Sequence, residues 1–389
     1  MKLAQRMSRL GTETAFEVLL AARALEAQGR EIVHLEIGEP DFDTPANIVE
    51  AACKALRSGQ THYTPSAGIP ELRQAIAAET ARTRGIKVEP NQVVVTPGGK
   101  PIMFYIILAL AEPGTEVIYP NPGFPIYESM INFVGAKPVP VQLREERGFR
   151  FDLDELRDKV TERTRLIIIN SPQNPTGGVL TREDLAGIAE VAVKHDIPVM
   201  SDEIYDHMLY EGEFSSIASL PGMSTSERTI ILNGFSKTYA MTGWRLGYGV
   251  MPADLAGHMT RLMTNSNSCT AAATQFAGVE ALQGPQEEAA KMIAAFKQRR
   301  DVIVEGLNQI PDIRCHKPEG AFYVFPNISA TGMKSKQMEQ FLLNEAGVAT
   351  LAGTSFGVYG EGFIRLSYAN SIENLQKALQ RIADALAKR

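Results

Sequence analysis

Between about residue 90 and residue 250 the sequence alternates short β-branched runs with segments of helical period, and few folds accept that alternation. Two strands that run the same way must be joined by a crossover, so repeated βα units predict a mostly parallel sheet with helices packed on it. The strand-like runs are Val93 to Thr96, Glu116 to Tyr119, Leu166 to Asn170, Pro198 to Ser201 and Thr229 to Leu232. Each ends in a polar or glycine-rich turn. Open sheets of this kind bind ligands beyond the C-terminal ends of their strands, so those turns are the candidate positions for chemistry. Helical period marks Ile69 to Arg84, Lys100 to Glu112 and Arg182 to His195.

The flanks read differently. A helix is expected over Phe16 to Gln28, with Gly29 placed as its C-cap, and others over Gln286 to Leu307 and Ile372 to Ala387. Between the last two lie strand-like Ala321 to Phe325 and Phe363 to Ser367. A chain of 389 residues exceeds the roughly 250 to 300 at which a single core stops growing. The expected division is a large α/β domain over residues 46–285 and a smaller α+β domain made of residues 1–45 and 286–389.

Charge and motif content remove several classes of function. A net charge of -6, with scattered Lys and Arg, offers no basic footprint for nucleic acid. Cys53, Cys269 and Cys315 are widely spaced and odd in number, which suggests neither a disulfide framework nor a metal pair. No apolar run follows the basic N-terminus, and the run from Phe104 to Ala111 is too short to span a bilayer, so a cytoplasmic protein is expected. No G-x-G-x-x-G opens a helix after a strand, Ser236 lacks the G-x-S-x-G elbow, and Lys100 is followed by Pro101 rather than by the Ser or Thr of a P-loop.

The segment Ser236-Lys237-Thr238-Tyr239-Ala240-Met241-Thr242-Gly243-Trp244-Arg245 follows a strand and a turn. It puts an amine, a hydroxyl and a guanidinium within ten residues, the groups needed to hold a phosphorylated carbonyl compound by an imine and by its phosphate. Taken alone, Ser236-Lys237 reads equally as a solvated turn. Asp202 closes a strand and reads as a turn or cap residue. Gly98-Gly99-Lys100 joins a strand to a helix, where backbone N–H groups can face an anion, although paired glycines commonly serve only the turn.

Taken together and in order, these segments resemble the class I aminotransferases, the fold-type-I pyridoxal-phosphate enzymes. The resemblance takes in Gly38-Glu39-Pro40-Asp41-Phe42, Tyr63-Thr64-Pro65, Gly98-Gly99-Lys100 and Asn170-Ser171-Pro172-Gln173-Asn174-Pro175-Thr176-Gly177. It continues through Asp202-Glu203-Ile204-Tyr205, the lysine segment, Gly320-Ala321-Phe322-Tyr323 and Arg365-Leu366-Ser367-Tyr368. It implies pyridoxal 5'-phosphate held as a Schiff base on Lys237, with Asp202 keeping the pyridine nitrogen protonated and Tyr205 and Asn174 at the phenolic oxygen. Phe124 and Ile204 then pack on the two ring faces. Ser236, Arg245, Gly98, Gly99 and Lys100 hold the phosphate, joined by Tyr63 from the partner subunit of a homodimer. Arg365, with Gly38 and Asn174 beside it, grips the substrate α-carboxylate.

Among such enzymes the chain looks most like the bacterial aspartate aminotransferases, which implies aspartate or glutamate as donor and a 2-oxo acid such as 2-oxoglutarate as acceptor. Lys100, Thr12 and Thr14 match the groups that contact the distal carboxylate there. Glu13 stands between the threonines in place of a small residue, and its charge predicts an orientation toward solvent. Ala352 stands where proline is expected before Gly353, and Phe124 where many aspartate-type relatives have tryptophan. Phe124 leaves alanine or aromatic amino acids as alternative donors. A C-S lyase or a cyclopropane-forming synthase would share the same core residues.

Overall fold

The computed structural model describes all of residues 1–389. After a short strand β1 (Val33–His34), seven strands form one sheet: β2 (Val93–Thr96), β3 (Glu116–Asn121), β4 (Lys137–Gln142), β5 (Thr164–Asn170), β6 (Val199–Asp202), β7 (Thr229–Gly234) and β8 (Gly247–Val250). Their spatial order is β2-β8-β7-β6-β5-β3-β4. Neighbours are parallel except at β8, which runs antiparallel to both β7 and β2. β2 therefore points the same way as β7. The C-terminal ends of all the other strands, together with the N-terminal end of β8, share one edge.

The run Thr164-Arg165-Leu166-Ile167-Ile168-Ile169-Asn170 is apolar without alternation because β5 is covered on both faces. Leu166 and Ile168 pack with Met200, Ile230 and the helices α4 and α5 introduced below, whereas Ile167 and Ile169 point into the opposite core. Five helices bear on the site: α1 (Ala15–Glu26), α2 (Ala46–Arg57), α3 (Pro70–Arg84), α4 (Lys100–Leu110) and α5 (Pro125–Val134). Every helix expected from the sequence is present, its ends shifted by at most a residue or two. The C-cap at Gly29 is formed as expected, with φ of 85° and the Arg30 N–H bonded to the Leu25 carbonyl.

Strands β4 and β8 fall outside the sequence expectation. β4 contains Pro138 and Pro140, which would delete ladder donors in a central strand but are tolerated at the sheet edge, where β4 pairs only with β3. β8 reads Gly-Tyr-Gly-Val, too poor in side chains to show a pattern.

Beyond the main sheet, β1 pairs in parallel with β10 (Val348–Ala349), which ties the N-terminal segment to the C-terminal part. β9 (Tyr323–Val324), β11 (Leu351–Ala352) and β12 (Ile364–Ser367) form an antiparallel sheet in the order β11-β12-β9. Its core includes Phe296 and Leu307 of the helix Glu287–Asn308 and Leu375 and Ile382 of the helix Ile372–Ala387. No helix is long and apolar enough to cross a membrane.

Candidate active site

A cavity of about 540 Å³ opens along the shared strand edge, within the size range of small-molecule sites. Ser236 and Lys237 leave β7 and Arg245 enters β8. Because β7 and β8 are antiparallel neighbours, both ends of the segment arrive at the cavity. The bend in between is sharp, with Ala240 and Arg245 in the left-handed region at φ of 49° and 54°. The Lys237 amine donates to the Gly38 carbonyl and lies 5.8 and 5.4 Å from the ring centroids of Tyr205 and Phe322. Burial, and then the charge of Arg365, lower its pKa to about 8. The neutral, nucleophilic amine is therefore accessible close to neutral pH. Gly38 has no space for a side chain, since a Cβ there would stand 2.3 Å from the Tyr323 hydroxyl.

Asp202 ends β6 and is buried. Its Oδ2 accepts from the Tyr127 hydroxyl at 2.5 Å, and its Oδ1 accepts from the Ile204 N–H at 3.3 Å. The turn-residue reading of Asp202 is thus correct, and it leaves the carboxylate facing the cavity. Burial raises its pKa to about 6, opposed first by the Tyr127 bond. Behind it, the buried Arg84 guanidinium pairs with Glu203 at 2.9 Å and with Asp206. Glu203 also accepts from Ser201 at 3.0 Å and Ser216 at 2.6 Å, and Asp206 from Asn233 at 2.9 Å. This network fixes the loop that presents Asp202, Ile204 and Tyr205. Tyr205 and Tyr323 share a hydroxyl hydrogen bond of 2.8 Å. The Asn174 side-chain oxygen accepts from Arg365 at 3.3 Å, and its backbone N–H donates to Asn170 at 2.9 Å.

Four cations line the cavity: Lys100, Lys237, Arg245 and Arg365. Of these only Lys100 has a carboxylate partner. Arg365 is 3% exposed, which excludes a surface salt bridge. Its guanidinium carbon lies 4.6 Å from the Tyr323 ring centroid and 4.9 Å from that of Phe356, and its Nε has no hydrogen-bond partner. A buried guanidinium without a counter-ion and with an unused N–H fits a carboxylate. Arg245 donates to the Thr242 carbonyl at 2.8 Å and presses on Gly98, where a Cβ would stand 2.0 Å from its Nη2. Gly99 is the N-cap of α4, and Pro101 in the first turn lacks the N–H that would have no intrahelical partner. A guanidinium, the Ser236 hydroxyl and a helix N-terminus together fit a phosphate. The set also fits the rest of a phosphorylated pyridine aldehyde: a buried carboxylate suits the ring nitrogen and an amine suits the aldehyde.

Phe124 and Ile204 both line the cavity, and the Phe124 ring stands edge-on to Tyr127 at 5.6 Å. Thr14 lines it too and donates to the Ser355 hydroxyl at 2.7 Å, whereas Thr12 does not reach it. Tyr63 is 88% exposed and is not brought to the cavity within one chain. Glu13 corrects the sequence expectation. It faces inward and pairs with Lys100, because the ammonium offers the charge that would otherwise have to come from solvent. Ala352 in place of proline also has a reason. Its N–H donates at 2.8 Å to the buried Glu339 carboxylate, and proline has no N–H. Sequence reasoning missed Tyr127, Tyr323 and Arg84. Tyr127 lies one helical turn after Phe124 and Tyr323 ends a quoted motif, but Arg84 carries no local signal.

The model of the family described as aminotransferase class I and II matches residues 30–382. An aspartate aminotransferase of Pyrococcus horikoshii is 44% identical over 360 residues, covering 92% of this chain and 91% of that protein. Aromatic-amino-acid aminotransferase 2 of Thermococcus litoralis is 42% identical over 370 residues, covering 93% and 94%. A solved structure of aspartate aminotransferase from Thermus thermophilus with maleate superposes with a TM-score of 0.94 at 39% identity, covering 99% of this chain and 100% of the other. Agreement this extensive reaches well beyond a shared fold: the chain belongs to the class I and II aminotransferases and is a pyridoxal-phosphate-dependent enzyme.

Proposed function

We propose that this aminotransferase moves the amino group of aspartate or glutamate to a 2-oxo acid such as 2-oxoglutarate, at a site centred on Lys237. The observation that carries the assignment of the site is the gathering of Lys237, Arg245 and Arg365, none with a counter-ion, in one cavity with the buried carboxylate of Asp202. When bound, pyridoxal phosphate supplies an aldehyde carbon for the amino group and a protonated ring that draws electron density from the substrate α-carbon. Ser236, Arg245, Gly98, Gly99 and Lys100 hold its phosphate, and Asp202 keeps the ring nitrogen protonated. Tyr205 and Asn174 donate to its phenolic oxygen, and Phe124 and Ile204 pack on its faces. Arg365 orients the substrate α-carboxylate beside Asn174 and Gly38. The Lys237 amine, displaced by the substrate amine, takes the proton from the α-carbon as general base and later returns one as general acid.

Lys100 and Thr14 are assigned to the second carboxylate of an acidic substrate, a reading supported by relatives named aspartate aminotransferase. We assign residues 46–285 to a large domain and residues 1–45 with 286–389 to a small one. We further infer a cytoplasmic homodimer with Tyr63 reaching the partner's phosphate site, which accounts for an exposed tyrosine in a motif of the family. A panel of amino donors with 2-oxoglutarate tests the reaction. Lys237→Ala is expected to lose both turnover and the visible absorption of lysine-bound cofactor. Lys100→Ala is expected to lower kcat/KM for aspartate while sparing phenylalanine, and an equal loss for both would sink the acidic reading.

A further inference from the structure

The acidic reading treats Lys100 as an ammonium waiting for a substrate carboxylate, yet it is the one cation of the cavity that already has a carboxylate partner. Glu13 is that partner, and its side chain is only 20% exposed against 51% for Lys100. The other acids lining the cavity are engaged elsewhere: Glu39 accepts from Thr242, and Asp202 from Tyr127 and the Ile204 N–H. Phe124 lies beneath the ammonium, 5.5 Å from ring centroid to Nζ. The distal wall is therefore a neutral ion pair resting on an aromatic ring, beside the apolar Phe16 and Met103.

We propose that Glu13 is an internal stand-in for a substrate's second carboxylate: it satisfies Lys100 when an uncharged side chain is bound and yields Lys100 when an acidic one arrives. This rests on the reading that Lys100 seats the second carboxylate. A lone ammonium would penalise an uncharged side chain, because substrate binding would strip its water and give nothing in return. Glu13 removes that penalty, so the pocket takes aromatic or aliphatic side chains as readily as its shape allows. An acidic side chain brings a third charge, and two carboxylates crowded on one ammonium repel each other. Glu13 has room to withdraw. It lies on the segment before α1, and residues 1–12 bury no side chain that such a movement would expose. One site thereby serves two classes of donor, and the balance between them is set by Glu13.

The test uses cofactor-loaded wild type, Glu13→Gln, Lys100→Met and the double variant. Maleate serves as a two-carboxylate probe and 3-phenylpropanoate as a one-carboxylate probe, with dissociation constants read by calorimetry and kcat/KM measured for aspartate and phenylalanine. Glu13→Gln keeps shape and removes charge. For a partly exposed ion pair, it is expected to tighten maleate by roughly two- to fivefold and weaken 3-phenylpropanoate by a similar factor, with kcat/KM following. In the Lys100→Met background both effects should vanish. If Glu13→Gln moves the two probes equally, or moves neither, while Lys100→Met still weakens maleate selectively, the stand-in role is overturned and the acidic reading stands. If Lys100→Met leaves maleate binding unchanged, the acidic reading falls and the stand-in role falls with it.

Discussion

Tyr127→Phe removes one hydroxyl from a fully buried position and leaves the packing of the ring against Phe124 in place. The lost hydroxyl donates to the Asp202 carboxylate at 2.5 Å and so favours its charged form. A hydrogen bond to a charged group is worth about 1.5–3 kcal/mol. At about 1.36 kcal/mol for each pH unit, its loss raises the carboxyl's pKa by roughly 1–2. That carries Asp202 from about 6 in the cofactor-free protein to roughly 7–8 in the variant. Below its pKa the group is a neutral acid and no longer holds a proton on the ring nitrogen, so the acid limb of kcat/KM should move to higher pH. Infrared titration of the carboxyl band in the cofactor-free protein reads the pKa directly, with Asp202→Asn identifying the band, and a pH–rate profile of the loaded enzyme reads its consequence. An unmoved midpoint together with an unmoved acid limb would refute the assignment of Tyr127 as a positioning residue.

Mixing an inactive Tyr63 variant with Lys237→Ala should restore part of the activity, because one of the two hybrid sites then holds both residues; absence of recovery in verified heterodimers would place each site within one chain. Ala352→Pro should destabilise the fold by about 1–2 kcal/mol in urea unfolding: the lost bond to the Glu339 carboxylate costs about 1.5–3 kcal/mol, and stiffening the unfolded chain returns about 0.4–1 kcal/mol. The backbone there, at φ of -59°, would otherwise suit proline, so a stabilised variant would show that the Glu339 contact contributes little.

The parts of the fold that were legible are those in which a strand or helix carries its own pattern. Val93–Thr96 and Thr229–Gly234 are built from β-branched and leucine residues, and α4 opens after two glycines with a proline in its first turn. Strand β8 was not, because its pairing depends on a partner far away in sequence and its glycines leave nothing to alternate. In the candidate site, Lys237, Asp202, Tyr205, Asn174 and Arg365 follow from motifs, and the structure gathers them around one cavity. Glu13 was misread because a glutamate near the N-terminus resembles any solvated charge until Lys100, brought beside it by the fold, supplies a counter-ion. Arg84 was invisible for the same reason: its partners Glu203 and Asp206 are distant in sequence and meet it only across the fold.

The antiparallel placement of β8 also sets an order on biosynthesis. β2 ends at Thr96, yet its pairing partner in the sheet begins at Gly247, about 150 residues later. Bringing those ends together costs a loop-closure entropy of about 4 kcal/mol before any contact is gained. The cradle at Gly98 cannot take its final form on a ribosome until Arg245 and β8 have emerged, and Arg365 follows more than a hundred residues after that. A nascent chain therefore completes its seat for the phosphate well before it can grip an amino acid, so capture of the cofactor can precede any exposure of its reactive carbon to substrate.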